Sequence, residues 1–317
     1  MKSTGAIAVA SHSFSKNEQL RRELTQKHAS ARFNETGRPL AGDELVGFLQ
    51  GHEKAITGLE IMNDEVFGAL PELRLVSKYG VGLDTIDLDA ARRHGVAVRW
   101  TPGVNSQAVA ELALAFMIAL GRNLLPLAAD VRAGKWPHHR IGRQLSSAIV
   151  GVLGCGNVGQ RVARLCRAVG ATVLAHDIRD YDRFYSETGV KPVSLALLLR
   201  EADIVTIHLP LDRSTRGLIG SAEIATMKPA AFLVNTARGG IVDEEALADA
   251  LAAHRLGGAA LDVFATEPPS NSTLLLLPNV IATPHVGGGT EEAVLAMGRA
   301  AMSGLEEGHE TIDLTRS

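Results

Sequence analysis

Three short segments of this 317-residue chain carry side chains suited to acid–base and anion chemistry. In the first, Val234-Asn235-Thr236-Ala237-Arg238-Gly239-Gly240, a β-prone run ends at an arginine flanked by glycines. A guanidinium fork matches a carboxylate in bidentate geometry. The second, Leu261 to Pro269, places Asp262 at the end of another apolar run and Glu267 before two prolines that stiffen the loop. The third, Ala282-Thr283-Pro284-His285-Val286-Gly287-Gly288-Gly289, sets His285 after a strand, braced by Pro284, with glycines that allow a ligand close approach. Isolated loop acids are usually solvated, and a histidine by itself is more often structural than catalytic. A histidine held by a carboxylate has a fixed tautomer and can give or take a proton near neutrality.

Upstream lies a phosphate-binding pattern. Ala148 to Leu153 reads as a buried strand running into Gly154, Gly156 and Gly159, which have the G-x-G-x-x-G spacing. Gln160 to Val169 then has helical periodicity, and a second strand, Thr172 to His176, ends at Asp177. That acid stands about twenty residues beyond the glycines, where a dinucleotide fold needs it. The first glycine permits the tight turn, the second lets the backbone reach the pyrophosphate, and the third lets helix and strand pack closely. Free N–H groups and the helix dipole then meet the phosphates. Asp177 can accept from a ribose diol and repels a 2′-phosphate, which favours NAD over NADP; Arg179 nearby pulls the other way.

These residues need a scaffold of alternating strands and helices. Strands are expected at Ala6–Ala10, Ala55–Leu59, Leu73–Ser77 and Val96–Arg99, with helices from a Ser15/Glu18 capping box through His28 and over Leu88–His94. Thr101-Pro102-Gly103 is a break, followed by a helix from Ser106 to Leu120 that is apolar nearly all round, and by another over Asn123–Gly134. Lys135 to Ser147 reads as a basic, irregular connection. Further strands are expected at Ile204–Ile207, Ala231–Val234, Gly258–Leu261 and Val280–Ala282, with helices near Leu195–Arg200, Ser221–Met227 and Glu244–His254. A last helix, Glu291–Glu306, returns to the first domain. The expectation is α/β throughout: two Rossmann-like or flavodoxin-like domains with parallel sheets. A discontinuous substrate-binding domain covers 1–102 plus 288–317, an NAD-binding domain covers 103–287, and the active site lies in the interdomain cleft.

Composition adds limits. The net charge of −3 gives no electrostatic case for nucleic acid. The apolar run Leu112–Leu120 is too short to span a membrane. The N-terminus lacks the apolar core of a signal peptide. The two cysteines are expected to be reduced thiols in a cytoplasmic protein.

Ordered motifs along nearly the whole chain resemble the D-isomer-specific 2-hydroxyacid dehydrogenases, especially the phosphoglycerate dehydrogenase-like branch. They are KYGVGLDTID (Lys78–Asp87), TPGVNSQAVAELALAFMIALGR (Thr101–Arg122), GVLGCGNVGQRVA (Gly151–Ala163), ADIVTIHLPLDRSTRGLIG (Ala202–Gly220), MKPAAFLVNTARGGIVDEEAL (Met227–Leu247), GAALDVFATEPP (Gly258–Pro269) and PNVIATPHVGGGTEEA (Pro278–Ala293). The resemblance implies a hydride exchange between NAD and a small D-2-hydroxy acid. Arg238 would clamp the carboxylate and 2-oxo group, with His285 as acid/base and Glu267 poising it. Asp262 would hold the nicotinamide carboxamide. Gly154, Gly156, Asn157, Val158, Gly159, Asp177, His208, Pro210, Thr215, Thr236, Ala237, Gly287 and Gly288 would complete the cofactor site along with Arg238 and His285. Lys78, Gly80, Val81, Gly82 and Asn105 would contact substrate. Hinges are expected near Thr101–Pro102 and Pro284–Gly288. The resemblance also implies a homodimer with Trp136 at its interface, where His138, His139 and Arg140 give a cationic rim; Arg140 and Arg143 would reach the partner's site.

Two departures bear on substrate. Phosphoglycerate dehydrogenases carry an arginine where Lys78 stands, and a basic residue where this chain reads Gly58-Leu59-Glu60-Ile61. Lys78 lacks the bidentate fork, and Glu60 is expected to bring negative charge near the substrate's anionic end. With the chain ending at Ser317, feedback control by serine is not expected. The alternatives are 3-phosphoglycerate dehydrogenase proper and an NAD-sensing, corepressor-like binding protein. Phosphite oxidation is a further relative's chemistry. Formate dehydrogenases of this superfamily carry glutamine where Glu267 stands.

Overall fold

A computed structural model describes residues 6–138, 141–269, 273–306 and 312–314. The chain forms two compact units, 1–105 with 291–317, and 106–290. Along the first stretch of unit 1 the order is β1 (Ile7–Val9), α1 (His12–Lys16), α2 (Glu18–Lys27), β2 (Arg32–Phe33), α3 (Gly42–Leu49), β3 (Lys54–Thr57), α4 (Asp64–Gly68), β4 (Leu75–Lys78), α5 (Leu88–Arg93) and β5 (Ala97–Trp100). Unit 2 follows with α6 (Ser106–Gly121), α7 (Leu124–Arg132), β6 (Ile149–Leu153), α8 (Asn157–Ala168), β7 (Thr172–His176), α9 (Asp182–Thr188), β8 (Lys191–Pro192), α10 (Leu195–Glu201), β9 (Ile204–Ile207), α11 (Ser221–Thr226), β10 (Phe232–Asn235), α12 (Glu244–Ala252), β11 (Gly258–Leu261) and β12 (Val280–Ala282). Unit 1 is completed by α13 (Glu291–Gly304) and β13 (Ile312–Asp313).

Unit 1 is built on a sheet ordered β13-β5-β4-β3-β1-β2, parallel except for β13, which runs antiparallel to β5. Its parallel part has the flavodoxin-like order. Strands such as Ala55-Ile56-Thr57 are buried on both faces because helices cover both sides. Ile7, Val9, Phe14, Leu20 and Leu24 pack with Met297 and Ala301 of α13 and with Leu305 just after it on one side; Leu45, Leu49, Val66 and Phe67 fill the other. The cap of α2 differs from the expected Ser15 box. Ser15 lies inside α1, and the Asn17 side chain accepts from Leu20 N. Two short turns of helix meet there, so the nearer asparagine takes the orphan N–H.

Unit 2 has the order β12-β11-β10-β9-β6-β7-β8, all parallel, with its switch point between β6 and β9. This is the order of a doubly wound dinucleotide fold, in which ligands lie at the carboxyl ends of the strands. The apolar helix α6 buries Ala110, Ala113, Phe116 and Met117 against Val150, Val162, Cys166 and Ala260. Helices α6 and α7 bend by 64° about Asn123, whose φ is 51°. Among the described residues no single helix is long and apolar enough to cross a membrane. Cys155 and Cys166 are both buried and unpaired; burial pushes their thiols up to about 11 and about 12.

The glycine turn between β6 and α8 shows why spacing matters. A Cβ at Gly159 would sit 1.9 Å from Gly154 O, whereas one at Gly156 would meet nothing within 4 Å. Gly159→Ala must therefore push helix from turn, at about 1–3 kcal/mol of overpacking, and we expect Tm to fall by roughly 3–10 °C. Gly156→Ala should leave Tm within about 2 °C. Equal losses in scanning calorimetry would refute this division of labour.

Candidate active site

Three neighbouring strand ends carry the reactive groups. Asn235, Leu261 and Ala282 are aligned by the β10–β11 and β11–β12 registers, so the loops after them emerge side by side. Arg238 leaves the first loop, Asp262 and Glu267 the second, and His285 the third. Nδ1 of His285 lies 2.8 Å from Glu267 Oε2. Glu267 Oε1 accepts from Phe264 N at 3.0 Å, which fixes the carboxylate's other end. With Nδ1 turned to the carboxylate, Nε2 is the atom left for proton transfer. His285 holds φ at 52°, in the left-handed region. That conformation costs a non-glycine residue about 1–2 kcal/mol, so the surroundings must enforce it.

The supporting contacts explain residues whose roles the sequence did not disclose. Asn235 accepts from Ala237 N at 3.0 Å and donates to Arg238 O at 2.9 Å, closing the turn under the arginine. Arg238 is half-buried, with Nη1 donating to Ala237 O. A Cβ at Gly239 would lie 1.9 Å from the Phe264 carbonyl, so only glycine lets the arginine loop touch the Glu267 loop. Glu244 Oε1 accepts from Ala265 N at 2.6 Å. The Asp262 carboxylate, 1 % exposed, accepts from Thr283 Oγ1, Val286 N and Gly287 N at 2.5, 2.8 and 2.7 Å. Nothing in sequence spacing marks the partners of Glu244 and Asp262, because they lie 21 to 25 residues away and meet them only through the sheet.

The cofactor residues gather in the same unit. Gly154, at φ 92°, has no room for a Cβ, which would lie 2.6 Å from His208 O. The open space at Gly156 fits a backbone that a pyrophosphate approaches, and Asn157, Val158 and Gly159 begin α8 there. Asp177 accepts from Cys155 N at 2.6 Å and from Arg179 N at 2.8 Å, so it braces the glycine turn at the end of β7. Ile178 beside it is 95 % exposed, an apolar surface that the spacing argument passed over. Thr215 Oγ1 donates to Pro210 O at 2.7 Å and accepts from Asp212 N at 2.8 Å, tying down the loop after β9. His208 Nε2 is 2.9 Å from Thr206 Oγ1, while His208 Nδ1 and Thr236 Oγ1 are buried without a protein partner. Those two atoms follow adjacent strands β9 and β10, so polar valence is unsatisfied where a cofactor's polar groups would meet it. The residues present thus fit a dinucleotide. Gly287 is buried and Gly288 half-buried.

The remaining expected substrate residues belong to unit 1. Lys78 is buried; its ammonium donates to Gly58 O and, at 2.8 Å, to Thr85 Oγ1. Gly80, at φ 114°, Val81 and Gly82 form a half-buried turn held by Trp100 Nε1, which donates to Val81 O at 3.0 Å. Asn105 is buried, with Oδ1 unpartnered. Glu60 departs from expectation: it is 1 % exposed and turned inward, accepting from Gly58 N at 2.6 Å, while Leu59 and Ile61 point out. His139 and Arg140 lie outside the described residues. Among the described residues, no group of three or more His, Cys, Asp or Glu could hold a metal ion.

Residues 114–287 match the family model described as D-isomer specific 2-hydroxyacid dehydrogenase, NAD binding domain. A hydroxypyruvate reductase of Thermotoga maritima is 35 % identical over 89 % of this chain and 93 % of its own length. A D-3-phosphoglycerate dehydrogenase of Archaeoglobus fulgidus is 38 % identical over 82 % of this chain and 50 % of its own. The chain spans about half the length of the curated phosphoglycerate dehydrogenases it matches. Among solved structures, a glyoxylate reductase from Paecilomyes thermophila superposes with a TM-score of 0.86 at 28 % identity, covering 98 % of this chain and 97 % of its own.

Burial pushes His208 down to about 3. The unfolded chain binds a proton near pH 6.5 that the folded chain refuses. Its contribution to stability is therefore complete above about pH 6.5 and is lost as pH falls toward 3. His208→Gln should flatten the decline of Tm between pH 6.5 and 4; an equally steep decline in the variant would assign the acid sensitivity elsewhere.

Proposed function

Because the chain belongs to the D-isomer specific 2-hydroxyacid dehydrogenase family, we propose that it is an NAD-dependent oxidoreductase interconverting a short D-2-hydroxy acid and its 2-oxo acid. The observation that carries this reading is the Glu267–His285 pair at 2.8 Å, set beside the Arg238 loop on adjoining strand ends. Arg238 binds the substrate carboxylate and orients the 2-oxo group. When bound, the nicotinamide supplies hydride to C2 in reduction and takes it back in oxidation. In reduction His285 gives the Nε2 proton to the carbonyl oxygen, and Glu267, facing Nδ1, stabilises the imidazolium before that transfer and holds the ring. In oxidation the same nitrogen removes the hydroxyl proton. The Gly80–Gly82 turn offers backbone N–H groups suited to a carboxylate.

The substrate we favour carries no second anionic group. Lys78's ammonium is already committed to Gly58 O and Thr85 Oγ1, and the outward side chains of the neighbouring loop are Leu59 and Ile61. A phosphate would find neither a fork nor an uncommitted cation there. The name of the Thermotoga maritima relative, hydroxypyruvate reductase, agrees with a small 2-oxo acid whose one charge is its carboxylate. The two buried, unpaired thiols suit a reducing cytoplasm.

We further infer a homodimer. Leu124, Leu125 and Val131 are about half exposed, Trp136 is 71 % exposed and Ile141 93 %. A nearby groove of ≈ 280 Å³ is lined by Ile118, Leu145, Val169 and Phe232 at the amino ends of the strands, away from the candidate site. So many exposed large apolar side chains within one short stretch of chain are uncommon on a monomer.

Two measurements test these readings. NADH oxidation with glyoxylate, hydroxypyruvate, pyruvate, 2-oxoglutarate and 3-phosphohydroxypyruvate should show turnover on a small monoanionic member, with NADPH poorer. His285→Gln should lower it by about 10²–10⁴-fold while NADH still binds. A preference for the phosphorylated acid would overturn the substrate reading, and undiminished turnover the role of His285. Light scattering at micromolar concentration should give a dimer mass that Trp136→Asp with Ile141→Asp reduces to a monomer. A monomeric wild type would end the dimer proposal.

A further inference from the structure

Resting on the activity reading above, we infer that Trp100 is a positioning residue of the substrate site. Its indole N–H pins the Val81–Gly82 peptide so that Gly82 N–H faces the substrate carboxylate. The pin lies wholly within unit 1.

Trp100 closes β5, one residue before the Thr101-Pro102-Gly103 break. The β4–β5 register sets Ser77 opposite Arg99, so Trp100 stands beside Lys78, where β4 leaves the sheet. Side chains alternate along a strand. Arg99 turns toward the end of α13, donating to Gly304 O at 3.0 Å, and Trp100 turns the other way. Its Nε1 donates to Val81 O at 3.0 Å. Behind it, β13 braces the outer edge of β5: Ile312 pairs with Trp100, and Leu314 N donates to Val98 O at 2.9 Å. The loop after β4 is anchored at both ends. Tyr79 N donates to Thr57 O at 2.8 Å. Thr85 takes the Lys78 ammonium on Oγ1 and Met62 N on its carbonyl, each at 2.8 Å. Between these anchors, among the described residues, the bond from Trp100 is the one hydrogen bond that Gly80, Val81 or Gly82 makes to protein. Half-buried backbone N–H groups without an acceptor are uncommon, and three in a row suit an anion.

A pin is needed because this peptide can turn over. A peptide unit is planar and trans, so its C=O and N–H point in opposite directions. Holding Val81 O against the indole therefore aims Gly82 N–H away from Trp100. Turning the unit over changes ψ of Val81 and φ of Gly82, and glycine accepts either sign of φ at little cost. Gly80 stands at φ 114°, and a Cβ there would meet nothing within 4 Å, so no packing resists movement on that side. Turned over, the unit would present a carbonyl oxygen to the carboxylate in place of a donor. Trp100 thus selects between an attractive and a repulsive face of one peptide. Apparent affinity scales with the fraction of chains in the donor-out form. The effect falls on binding, since saturating substrate draws the turn into that form with or without the indole.

The test compares the full wild-type chain with Trp100→Phe, which keeps an aromatic ring and removes the N–H. Three quantities are read: KM and kcat for glyoxylate at saturating NADH, NADH Kd by fluorescence, and the indole ¹⁵N–¹H resonance of Trp100 during titration with oxamate, an unreactive 2-oxo acid mimic, in the presence of NADH. The chain has two tryptophans, so Trp136→Phe assigns the signal. We expect KM to rise about 3–10-fold in Trp100→Phe, the loss of one hydrogen bond. Both kcat and NADH Kd should stay within about twofold, as for lost binding that ground and transition states share. In the wild type, oxamate should move the Trp100 proton downfield, because an anion on Gly82 N–H polarises the Val81 carbonyl and strengthens the bond it accepts. An unchanged KM, or a fall in kcat with KM unchanged, would overturn the proposal. If Trp100→Phe does not fold, the titration decides, and a Trp100 signal that stays put while oxamate alters NADH fluorescence refutes the pin. If the wild type reduces no 2-oxo acid, a downfield shift with oxamate upholds the pin while the activity reading falls. Turnover with neither the KM change nor the shift removes the pin and leaves the activity reading standing; no turnover and no shift ends both.

Discussion

Parallel pairing of β10, β11 and β12 brings Asn235, Leu261 and Ala282 to one level. Each strand then has to leave the sheet, and each exit exposes backbone groups that the ladder no longer satisfies. The chain meets that demand with side chains from the exits themselves: Asn235 closes its own turn, and Asp262 closes the turn of the next strand. The arrangement of Arg238, Glu267 and His285 is a consequence. They are held where they are because the polar accounting of three neighbouring strand ends leaves little alternative. Gly239 tightens the same region, since any Cβ would strike the Phe264 carbonyl.

Unit 2 therefore contains two kinds of buried polar group. Asp262, Asn235 and Thr215 are occupied by protein partners and set the shape of loops. His208 Nδ1 and Thr236 Oγ1 are buried yet unpartnered, although an orphaned polar group in a dry site costs about 1–3 kcal/mol. His208 follows β9, which pairs with the strand of the glycine turn, and Thr236 follows β10 on its far side. Occupied groups fix geometry; unoccupied ones are what a ligand meets.

Much of the fold was legible because its signals are local. The β6 turn, the acid at the end of β7 and the strands ending at Asn235, Leu261 and Ala282 all announce themselves by apolar runs and glycine spacing. The candidate groups Arg238, Glu267 and His285 stood out for the same reason, since each lies in a loop that follows a strand. What escaped depended on tertiary partners. The short helix α3 has only Leu45 and Leu49 fully buried, too little periodicity to stand out against its flanking loops. The Ser15 cap yielded to Asn17, two positions away, because α1 had already claimed Ser15. Glu60 was read as facing substrate. In a loop where alternate residues point opposite ways, its burial followed from Gly58 N, a contact that only the folded turn creates.

The inward Glu60 changes the electrostatic argument without reversing its direction. Facing substrate, it would have excluded anions by repulsion. Buried, it instead holds Gly58, whose carbonyl takes the Lys78 ammonium. The two charges flank one residue, so the positive charge at the end of β4 is engaged within unit 1. Beyond them the loop offers Leu59 and Ile61. A ligand at these strand ends therefore meets apolar surface and the backbone N–H groups of the Gly80–Gly82 turn. On the function proposed above, bidentate recognition of the carboxylate falls to Arg238, whose fork is suited to it. The substrate proposed above, one carboxylate with a small uncharged remainder, agrees with that division.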